Sequence, residues 1–259
     1  MPDHAPEVTY APWSEWSPKE YLSEYYAEVM SDERFALEFL VESMRLLPPV
    51  SAALDFGSGP TVHHLFALVP KAEEIHTAEY LPGNRTEIEN WVKGHASAHD
   101  WSAFACETLR IEGMTNPLPA AVEAREAETR RRLKFVMAAD AGDTDPLGVE
   151  KRGNYSLVTT HYCAEGATND KETWRLYMRN IASLVRPGGT LILSACGAAD
   201  FYCVGNRRFP CAGVTAQDVI SSLTSNGFHH LDLRVRSVPD HSAQGYSYVI
   251  FVCAMKCAL

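Results

Sequence analysis

Two periods of hydrophobic residues divide this chain into strands and helices. Apolar runs of strand length stand at 51–56, 74–80, 135–140, 155–160 and 190–194. Segments with helical spacing stand between most of them, and two more apolar runs, at about 231–238 and 246–255, close the sequence. Strands separated by helices form parallel sheets, and a final pair of strands forms a hairpin. We therefore predict one α/β domain over residues 1–259, with a doubly wound, seven-stranded, mostly parallel sheet and an antiparallel C-terminal strand.

A segment with a helical pattern precedes the first strand. Ser17-Pro18-Lys19-Glu20 combines a capping serine with a proline in the first turn, and predicts a helix from Pro18 to about Met30. A second helix over about 32–47 ends at two prolines. A short helix is also predicted over 62–68, after the first strand. We predict that residues 1–47 form a helical cover, whose tyrosines close over a small molecule, and that 48–259 form the core. The alternative is a helix whose aromatic side chains only pack it against the core. A charged, mainly helical stretch at about 86–133 is predicted as an insertion in two pieces.

The first strand ends in an acid and a glycine-rich turn, Asp55-Phe56-Gly57-Ser58-Gly59. Glycine carries no Cβ, so backbone N–H groups in such a turn can approach a bound ligand. The same residues also suit an ordinary connection between a strand and a helix. A dinucleotide fingerprint needs a third glycine three residues after the second, and this chain has Val62 there. The valine, the leading acid and the terminal hairpin favour S-adenosylmethionine over NAD.

Polar residues follow the next strands at their carboxyl ends, where open parallel sheets bind ligands. Glu79 is placed to accept hydrogen bonds from both ribose hydroxyls of a nucleoside, with a surface acid as the alternative. Asp140 suits an adenine amino group, or else a simple turn. The fourth strand leads into His161 and Tyr162, and we expect the reaction centre there. His161 is the first candidate for a base, with Tyr162 or Asp200 next, although a structural role suits His161 equally well.

Charge and composition argue against several classes of partner. The formal net charge is −10, which argues against a nucleic acid because phosphate binding relies on clustered Lys and Arg. The apolar stretches are too short to span a membrane, and Met1–Val8 do not resemble a secretory signal. The seven cysteines include no Cys-x-x-Cys pair, which favours thiols in a reducing cytoplasm and no metal site. We expect a cytoplasmic monomer that acts on a small molecule.

Taken together, the motifs resemble the nicotinamide, phenylethanolamine and indolethylamine N-methyltransferase family. The resemblance runs from about Tyr10 to the C-terminus, in order and with similar spacing. The residues that carry it are Asp55 to Thr61, Glu79-Tyr80 with Asn84, Asp140, 146–148, 184–189, and Tyr21-Leu22 with Tyr25-Tyr26. The resemblance implies a Rossmann-like fold under an N-terminal helical cover, S-adenosylmethionine as cofactor, and methyl transfer to a small molecule.

The resemblance also implies a set of contacts. Carried over residue by residue, the cofactor contacts are Tyr21, Tyr26, Asp55, Gly57, Ser58, Gly59, Thr61, Glu79, Tyr80, Asn84, Asp140, Ala141 and Thr160. The substrate candidates are Tyr25, His161, Tyr202, Arg207 and Arg208. Glu79 stands where the family has an aspartate, which lengthens the arm and keeps two acceptor oxygens. The two arginines would suit a carboxylate substrate, although exposed arginines are the simpler interpretation.

The substrate side departs from the family. Animal members place an aspartate after the fifth strand that grips the substrate's amine or amide, and this chain has Ala195 there. We therefore expect no buried acid for a cationic amine, and we interpret His63 and His64 as structural. The main hypothesis is a small-molecule N-methyltransferase. Transfer to oxygen or carbon, and a non-catalytic module that binds the cofactor, stay open as alternatives.

Overall fold

A computed structural model describes residues 9–239 and 244–258 of the 259-residue chain. The prediction that Met1–Val8 do not form a secretory signal concerns residues outside the described ranges. Within them the chain forms a seven-stranded sheet and a two-stranded one. The strands are β1 Val50–Phe56, β2 Ala72–Glu79, β3 Leu133–Ala138, β4 Tyr155–His161, β5 Val185–Cys196, β6 Phe201–Val204, β7 Arg207–Pro210, β8 Phe228–Ser237 and β9 Tyr248–Lys256.

The large sheet has the strand order β3-β2-β1-β4-β5-β9-β8. β1 to β5 pair in parallel, and β9 runs antiparallel between β5 and β8. The chain moves outward from β1 through β2 to β3 and then crosses to β4. The direction of winding therefore reverses between β1 and β4, where sheets of this kind leave a crevice. The predicted sheet, with its antiparallel C-terminal strand, is confirmed.

Helices cover both faces of the sheet. They are α1 Pro18–Tyr25, α2 Ser31–Leu46, α3 Leu65–Leu68, α4 Pro82–Val92, α5 Ser102–Ile111, α6 Pro119–Arg132, α7 Lys171–Leu184 and α8 Ala216–Ser225. Neighbouring strand residues point to opposite faces, so Ala53 and Ile192 pack with the side chains of α2, α3 and α5. Leu54 and Leu193 pack with those of α7 and α8. Because both faces are covered, the central strand β4 and the second half of β5 are buried on both sides.

Two helices near the N-terminal end are shorter than predicted. α1 ends at Tyr25 instead of about Met30, because Tyr26 leaves the helical conformation and packs its ring on Trp101. The helix expected over 62–68 is confined to Leu65–Leu68. Before it, successive N–H groups bond the carbonyl three residues back, as in Leu65 to Val62, so the chain forms tight turns. These turns hold His63 and His64 next to the first strand.

The insertion contains three helices rather than two pieces. α4 ends at Val92 with Lys93 as its C-cap, and Gly94 follows with φ of 66°, a conformation that favours glycine and stops a helix. α5 then starts after Trp101. Trp91 and Trp101 are both buried. The third helix, α6, carries its charges as Glu–Arg pairs on the outside of the molecule, among them Glu128 with Arg131.

The segment after β5 forms the hairpin β6–β7. Its Phe209 is fully buried and stacks on Trp13 at 5.3 Å between ring centroids, and Trp16 meets the same ring edge-on at 5.1 Å. The N-terminal residues therefore dock on this hairpin and form one side of the cover with it. Among the described residues, no helix has the length and apolarity to cross a membrane.

Candidate active site

A cavity of about 280 Å³ opens at the carboxyl ends of β1, β2 and β4, beneath α1. The predicted residues that line it are Tyr21, Tyr25, Tyr26, Asp55, Gly57, Ser58, Gly59, Thr61, Glu79, Tyr80, Asn84, Asp140, Ala141, His161, Tyr162 and Tyr202. These residues are far apart in the sequence. Their assembly around one space follows from the parallel sheet, whose strand ends all meet at this edge.

The glycine turn is built for close approach. Gly57 and Gly59 have φ of 71° and 59°, in the left-handed region that favours glycine. A Cβ on Gly57 would lie 2.0 Å from Cys163 Sγ, so the turn packs directly against the end of β4. The Gly59 N–H donates to Glu79 Oε2 at 3.0 Å. This hydrogen bond joins the glycine turn to the end of β2 without the help of a ligand.

Glu79 is held by three donors. Its Oε1 accepts from the Leu81 N–H at 2.8 Å and from Asn84 Nδ2 at 3.0 Å, and its Oε2 accepts from Gly59. Burial raises the pKa of Glu79, and these hydrogen bonds, with the charge of Arg85, oppose the rise. Trp16 Nε1 donates to Asn84 Oδ1 at 2.9 Å, which ties the N-terminal cover to the same network.

Two more acids stand at strand ends on this side. Asp55 Oδ1 accepts from Thr159 Oγ1 at 2.7 Å, and burial raises the pKa of Asp55 to about 7, with the nearby charge of Glu79 adding to the effect. Asp140 Oδ1 accepts from the Gly142 N–H at 2.7 Å. Tyr177 of α7 also lines the cavity, and it is not among the predicted site residues. The sequence does not reveal this position, because Tyr177 has the same helical spacing as the residues of α7 that pack into the core.

Aromatic rings form the cover. Tyr21 packs on Tyr25 and Trp16, each with 4.9 Å between ring centroids, and its hydroxyl lies 3.3 Å from that of Tyr26. Tyr25 Oη donates to the Cys203 carbonyl at 2.7 Å, so α1 is bonded to the hairpin β6–β7. Burial raises the pKa of Tyr21, Tyr25 and Tyr26, and the phenols are therefore neutral.

His161 ends β4 and faces the cavity. Its Nδ1 lies 2.7 Å from Ser194 Oγ on β5, and its ring stacks on His64 at 3.7 Å between centroids. Burial lowers the pKa of His161 to about 3, so the ring is neutral near pH 7. Next to it, Tyr162 has φ of 51°, in the left-handed region where a tyrosine is strained. Among the described residues, neither His161 Nε2 nor Tyr162 Oη has a hydrogen-bond partner.

The expectation that no buried acid serves this part of the cavity is wrong. Asp32, Glu33 and Glu165 are buried and line it. Glu165 Oε1 accepts from the Cys196 N–H at 2.9 Å, and burial raises the pKa of Glu165 to about 7. Tyr246 Oη donates to Asp32 Oδ2 at 2.9 Å. Ala195 lacks a carboxylate, but α2 and the loop after β4 bring three acids to the cavity instead.

His63 and His64 lie beside these acids. His63 Nε2 is 2.7 Å from Glu33 Oε2, and His64 Nε2 is 3.6 Å from the same oxygen. His64 lines the cavity, whereas His63 lies behind it, stacked on Trp101 at 5.2 Å between centroids. Burial lowers the pKa of His63 to about 3 and that of His64 well below its usual range, which keeps both rings neutral.

Four predicted residues do not line the cavity: Thr160, Asp200, Arg207 and Arg208. Asp200 is exposed on the segment before β6. Arg207 pairs with Glu15 at 3.2 Å and with Glu20 at 3.0 Å, and the guanidinium of Arg208 lies over the Phe201 ring at 4.5 Å. The hairpin geometry turns these three side chains away from the cavity. Thr160 borders a smaller space behind β4.

Comparison with known proteins agrees with this architecture. Residues 8–257 match the model of the NNMT/PNMT/TEMT family. The chain is 31% identical over 202 residues to indolethylamine N-methyltransferase from Mus musculus, covering 75% of each chain. It is 26% identical over 222 residues to nicotinamide N-methyltransferase from Homo sapiens, covering 83% of each. A SAM-dependent methyltransferase from Methanosarcina mazei matches with a TM-score of 0.58 and 11% identity, over 84% of this chain and 98% of the other, and shows the fold alone.

Proposed function

The chain belongs to the NNMT/PNMT/TEMT family of S-adenosylmethionine-dependent methyltransferases, and on that premise we propose that it methylates the nitrogen of a small, basic acceptor. We infer the chemical class of the acceptor from the charge of the cavity lining. Its described lining includes six carboxyl groups and no Lys or Arg. The carboxyl groups belong to Asp32, Glu33, Asp55, Glu79, Asp140 and Glu165. A cavity lined by one sign of charge concentrates ligands of the opposite sign, so an amine fits better than a carboxylate.

The cofactor side of the cavity comprises the glycine turn, Glu79 and Asp140. Three of the roughly four lone-pair positions of a carboxylate are used in Glu79, which leaves one on Oε2 for a ribose hydroxyl. A second hydroxyl would replace one of the present donors. Asp140 Oδ2 accepts no hydrogen bond from the described residues and would suit the adenine amino group. We place the adenosyl part of S-adenosylmethionine here.

The acceptor side comprises Glu33, His64, His161, Tyr162 and Glu165. The bound sulfonium would supply the electrophile, so the chain has to align the acceptor, exclude water and receive a proton. The neutral tyrosine rings of the cover offer π-faces that attract cationic groups, which suits both a sulfonium and an amine. Alignment and exclusion of water are therefore the main tasks of this wall.

Glu165 replaces His161 as the proposed base. A general base works best when its pKa lies near the operating pH. Burial raises the pKa of Glu165 to about 7, whereas it lowers the pKa of His161 to about 3. An imidazole with so low a pKa holds a proton poorly near neutrality. We assign His161 the role of a neutral hydrogen-bonding group that is oriented by Ser194.

Calorimetry with S-adenosylmethionine and S-adenosylhomocysteine tests cofactor binding, and we expect both to bind at one site per chain. Labelled methyl transfer to paired acceptors, an amine and a carboxylic acid on the same scaffold, then tests the acceptor class. We expect label in the amine and none in the acid. If neither cofactor form binds, the proposal fails. Binding without transfer to any acceptor would instead favour the non-catalytic module.

The Glu165→Gln variant tests the base. Loss of general-base catalysis should lower kcat by about 100-fold or more, with affinity for S-adenosylhomocysteine unchanged within about twofold. Glu107→Gln is a matched control, since Glu107 is buried and pairs with Arg34 and Arg110 outside the cavity. Equal turnover in Glu165→Gln and the unaltered chain would remove Glu165 from the mechanism. The monomeric state remains a prediction, which light scattering can check.

A further inference from the structure

We propose that Glu33, His63 and His64 bind one divalent transition-metal ion of the zinc type at the acceptor side of the cavity. Glu33 lies in the first turn of α2, and the two histidines lie in the turns between the glycine turn and α3. Each side chain offers one ligand atom, and the three atoms lie within 4.8 Å of one another. The family resemblance does not require this cluster.

The distance between His64 and Glu33 matches the separation of two ligands on one ion. Two ligands of a tetrahedral zinc ion, with bonds of about 2.0–2.2 Å, lie about 3.3 Å apart. His64 Nε2 and Glu33 Oε2 are 3.6 Å apart, too long for a hydrogen bond and close to this separation. His63 Nε2 is at hydrogen-bond distance from Glu33, 2.7 Å, and would have to move by roughly 0.6 Å. Small rotations of one ring would therefore complete the geometry.

The burial of the three side chains also supports a metal site. The three side chains are at most 5% exposed, and among the described residues His64 Nε2 has no hydrogen-bond partner. A buried polar atom without a partner costs free energy, which a metal–nitrogen bond would recover. The His64 ring is also fixed in place by stacking on His161. Neutral imidazole is the form that binds metals, and burial keeps both histidines neutral.

The ligand set points to the class of ion. Mg²⁺ and Ca²⁺ prefer oxygen ligands, whereas two imidazoles and one carboxylate are typical of zinc sites that keep a position open. Glu33 and His64 line the cavity while His63 lies behind it, so the open position faces the cavity. A water molecule or an oxygen of the acceptor could occupy that position, which leaves the acceptor's nitrogen lone pair free for methyl transfer, and this last step rests on the proposed function.

The site can be tested on tag-free, full-length protein that has been stripped with a chelator. We expect one Zn²⁺ per chain by mass spectrometry of the dialysed protein, and the strong visible absorption of tetrahedral Co²⁺ when cobalt replaces it. His64→Gln and Glu33→Gln should each weaken zinc binding by at least about 100-fold, since even residues that only support a ligand contribute 10- to 100-fold. His229→Gln is the matched control, because His229 Nδ1 lies 3.3 Å from Sγ of the exposed Cys257 and forms with it a histidine–thiol pair far from the cavity in sequence.

The possible outcomes distinguish failure of the metal site from failure of the proposed methyltransferase function. Zinc binding that survives His64→Gln but is lost in His229→Gln would overturn the proposal, as would a folded, unaltered chain that binds no zinc or gives no tetrahedral cobalt spectrum. That spectrum needs no variant, so a variant that fails to fold does not decide the question. Calorimetry with S-adenosylhomocysteine, run on the zinc-free protein, reports on the cofactor site independently. Cofactor binding without zinc binding would reject the metal site and leave the proposed function standing.

Discussion

The cofactor side and the acceptor side of the cavity hold their polar groups in different ways. Glu79 accepts three hydrogen bonds, two of them from backbone N–H groups of its own neighbourhood and the glycine turn. On the acceptor side, His64 Nε2, His161 Nε2 and Tyr162 Oη have no hydrogen-bond partner among the described residues. Buried polar atoms without partners destabilise a fold unless a ligand engages them. The first side is organised by the fold itself, and the second has polar atoms left over for an acceptor or an ion.

This contrast predicts that substitutions on the cofactor side act first on folding and cofactor affinity. Substitutions on the acceptor side should act on turnover, on metal binding and on the pH dependence of stability. The largest expected effects concern the glycine turn, and the smallest concern residues that the structure places outside both sides.

Gly57→Ala should lower the free energy of unfolding by roughly 2–5 kcal/mol. The variant combines a positive φ with a Cβ that would meet Cys163 Sγ at 2.0 Å and Cys163 Cβ at 2.5 Å. Gly59→Ala is the control, because its φ is also positive but no atom lies within 4 Å of the added Cβ, so only the backbone cost of about 1–2 kcal/mol applies. Urea denaturation measures both. Equal losses in the two variants would mean that β4 does not pack against the turn in solution.

The pH dependence of stability should reveal the buried Glu165. Its ordinary pKa is 4.5, and burial raises the pKa in the folded chain to about 7. Between those pH values the folded chain keeps a proton that the unfolded chain has released, so the free energy of unfolding falls as the pH rises. Glu165→Gln removes this loss, and the variant should be more stable than the unaltered chain above pH 7 by up to roughly 3 kcal/mol.

Urea denaturation across this pH range measures the difference. Asp55, whose pKa is also raised to about 7, contributes with the same sign, so the slope in Glu165→Gln should shrink but not vanish. Below about pH 4.5 the two proteins should unfold at the same urea concentration, because Glu165 is then protonated in both states. If stability depends on pH in the same way in Glu165→Gln and the unaltered chain, the pKa of Glu165 is not raised by folding.

Glu79→Ala should weaken the binding of S-adenosylhomocysteine by about 1–3 kcal/mol, since it leaves ribose hydroxyls and the Gly59 N–H without their acceptor. Calorimetry measures the change. Glu79→Gln keeps one acceptor oxygen and should lose less. If affinity in Glu79→Ala is unchanged, the ribose lies elsewhere and the cofactor side is assigned to the wrong part of the cavity.

The sequence predicted the residues of the cofactor side better than those of the acceptor side. The turn at Gly57, with Glu79 and Asp140, stands at the ends of consecutive strands, and parallel strands end at one edge of a sheet. Asp32 and Glu33 escaped notice because acids in the first turn of a helix are expected for their effect on the helix dipole. Whether such acids reach a cavity depends on how α2 packs on the sheet, which hydrophobic periodicity does not encode.

The hairpin β6–β7 was missed for a related reason. Its strands are only four residues long, and the burial of Phe209 comes from the distant Trp13 and Trp16 rather than from a repeating pattern. Arg207 and Arg208 consequently looked available for a carboxylate. In the structure, Arg207 instead joins the hairpin to the N-terminal cover through Glu15 and Glu20.

Arg207→Gln is therefore expected to have the smallest effect. Its ion pairs are partly exposed, and such pairs contribute about 0–1 kcal/mol, so KM for an amine acceptor should change by no more than about twofold. The same assay on a carboxylate-bearing acceptor is the sharper measurement. If that acceptor is methylated and its KM rises about tenfold in the variant, the hairpin must bring Arg207 over the cavity during turnover. The hairpin would then supply a guanidinium group to the acceptor, and the class of acceptors would have to include carboxylates.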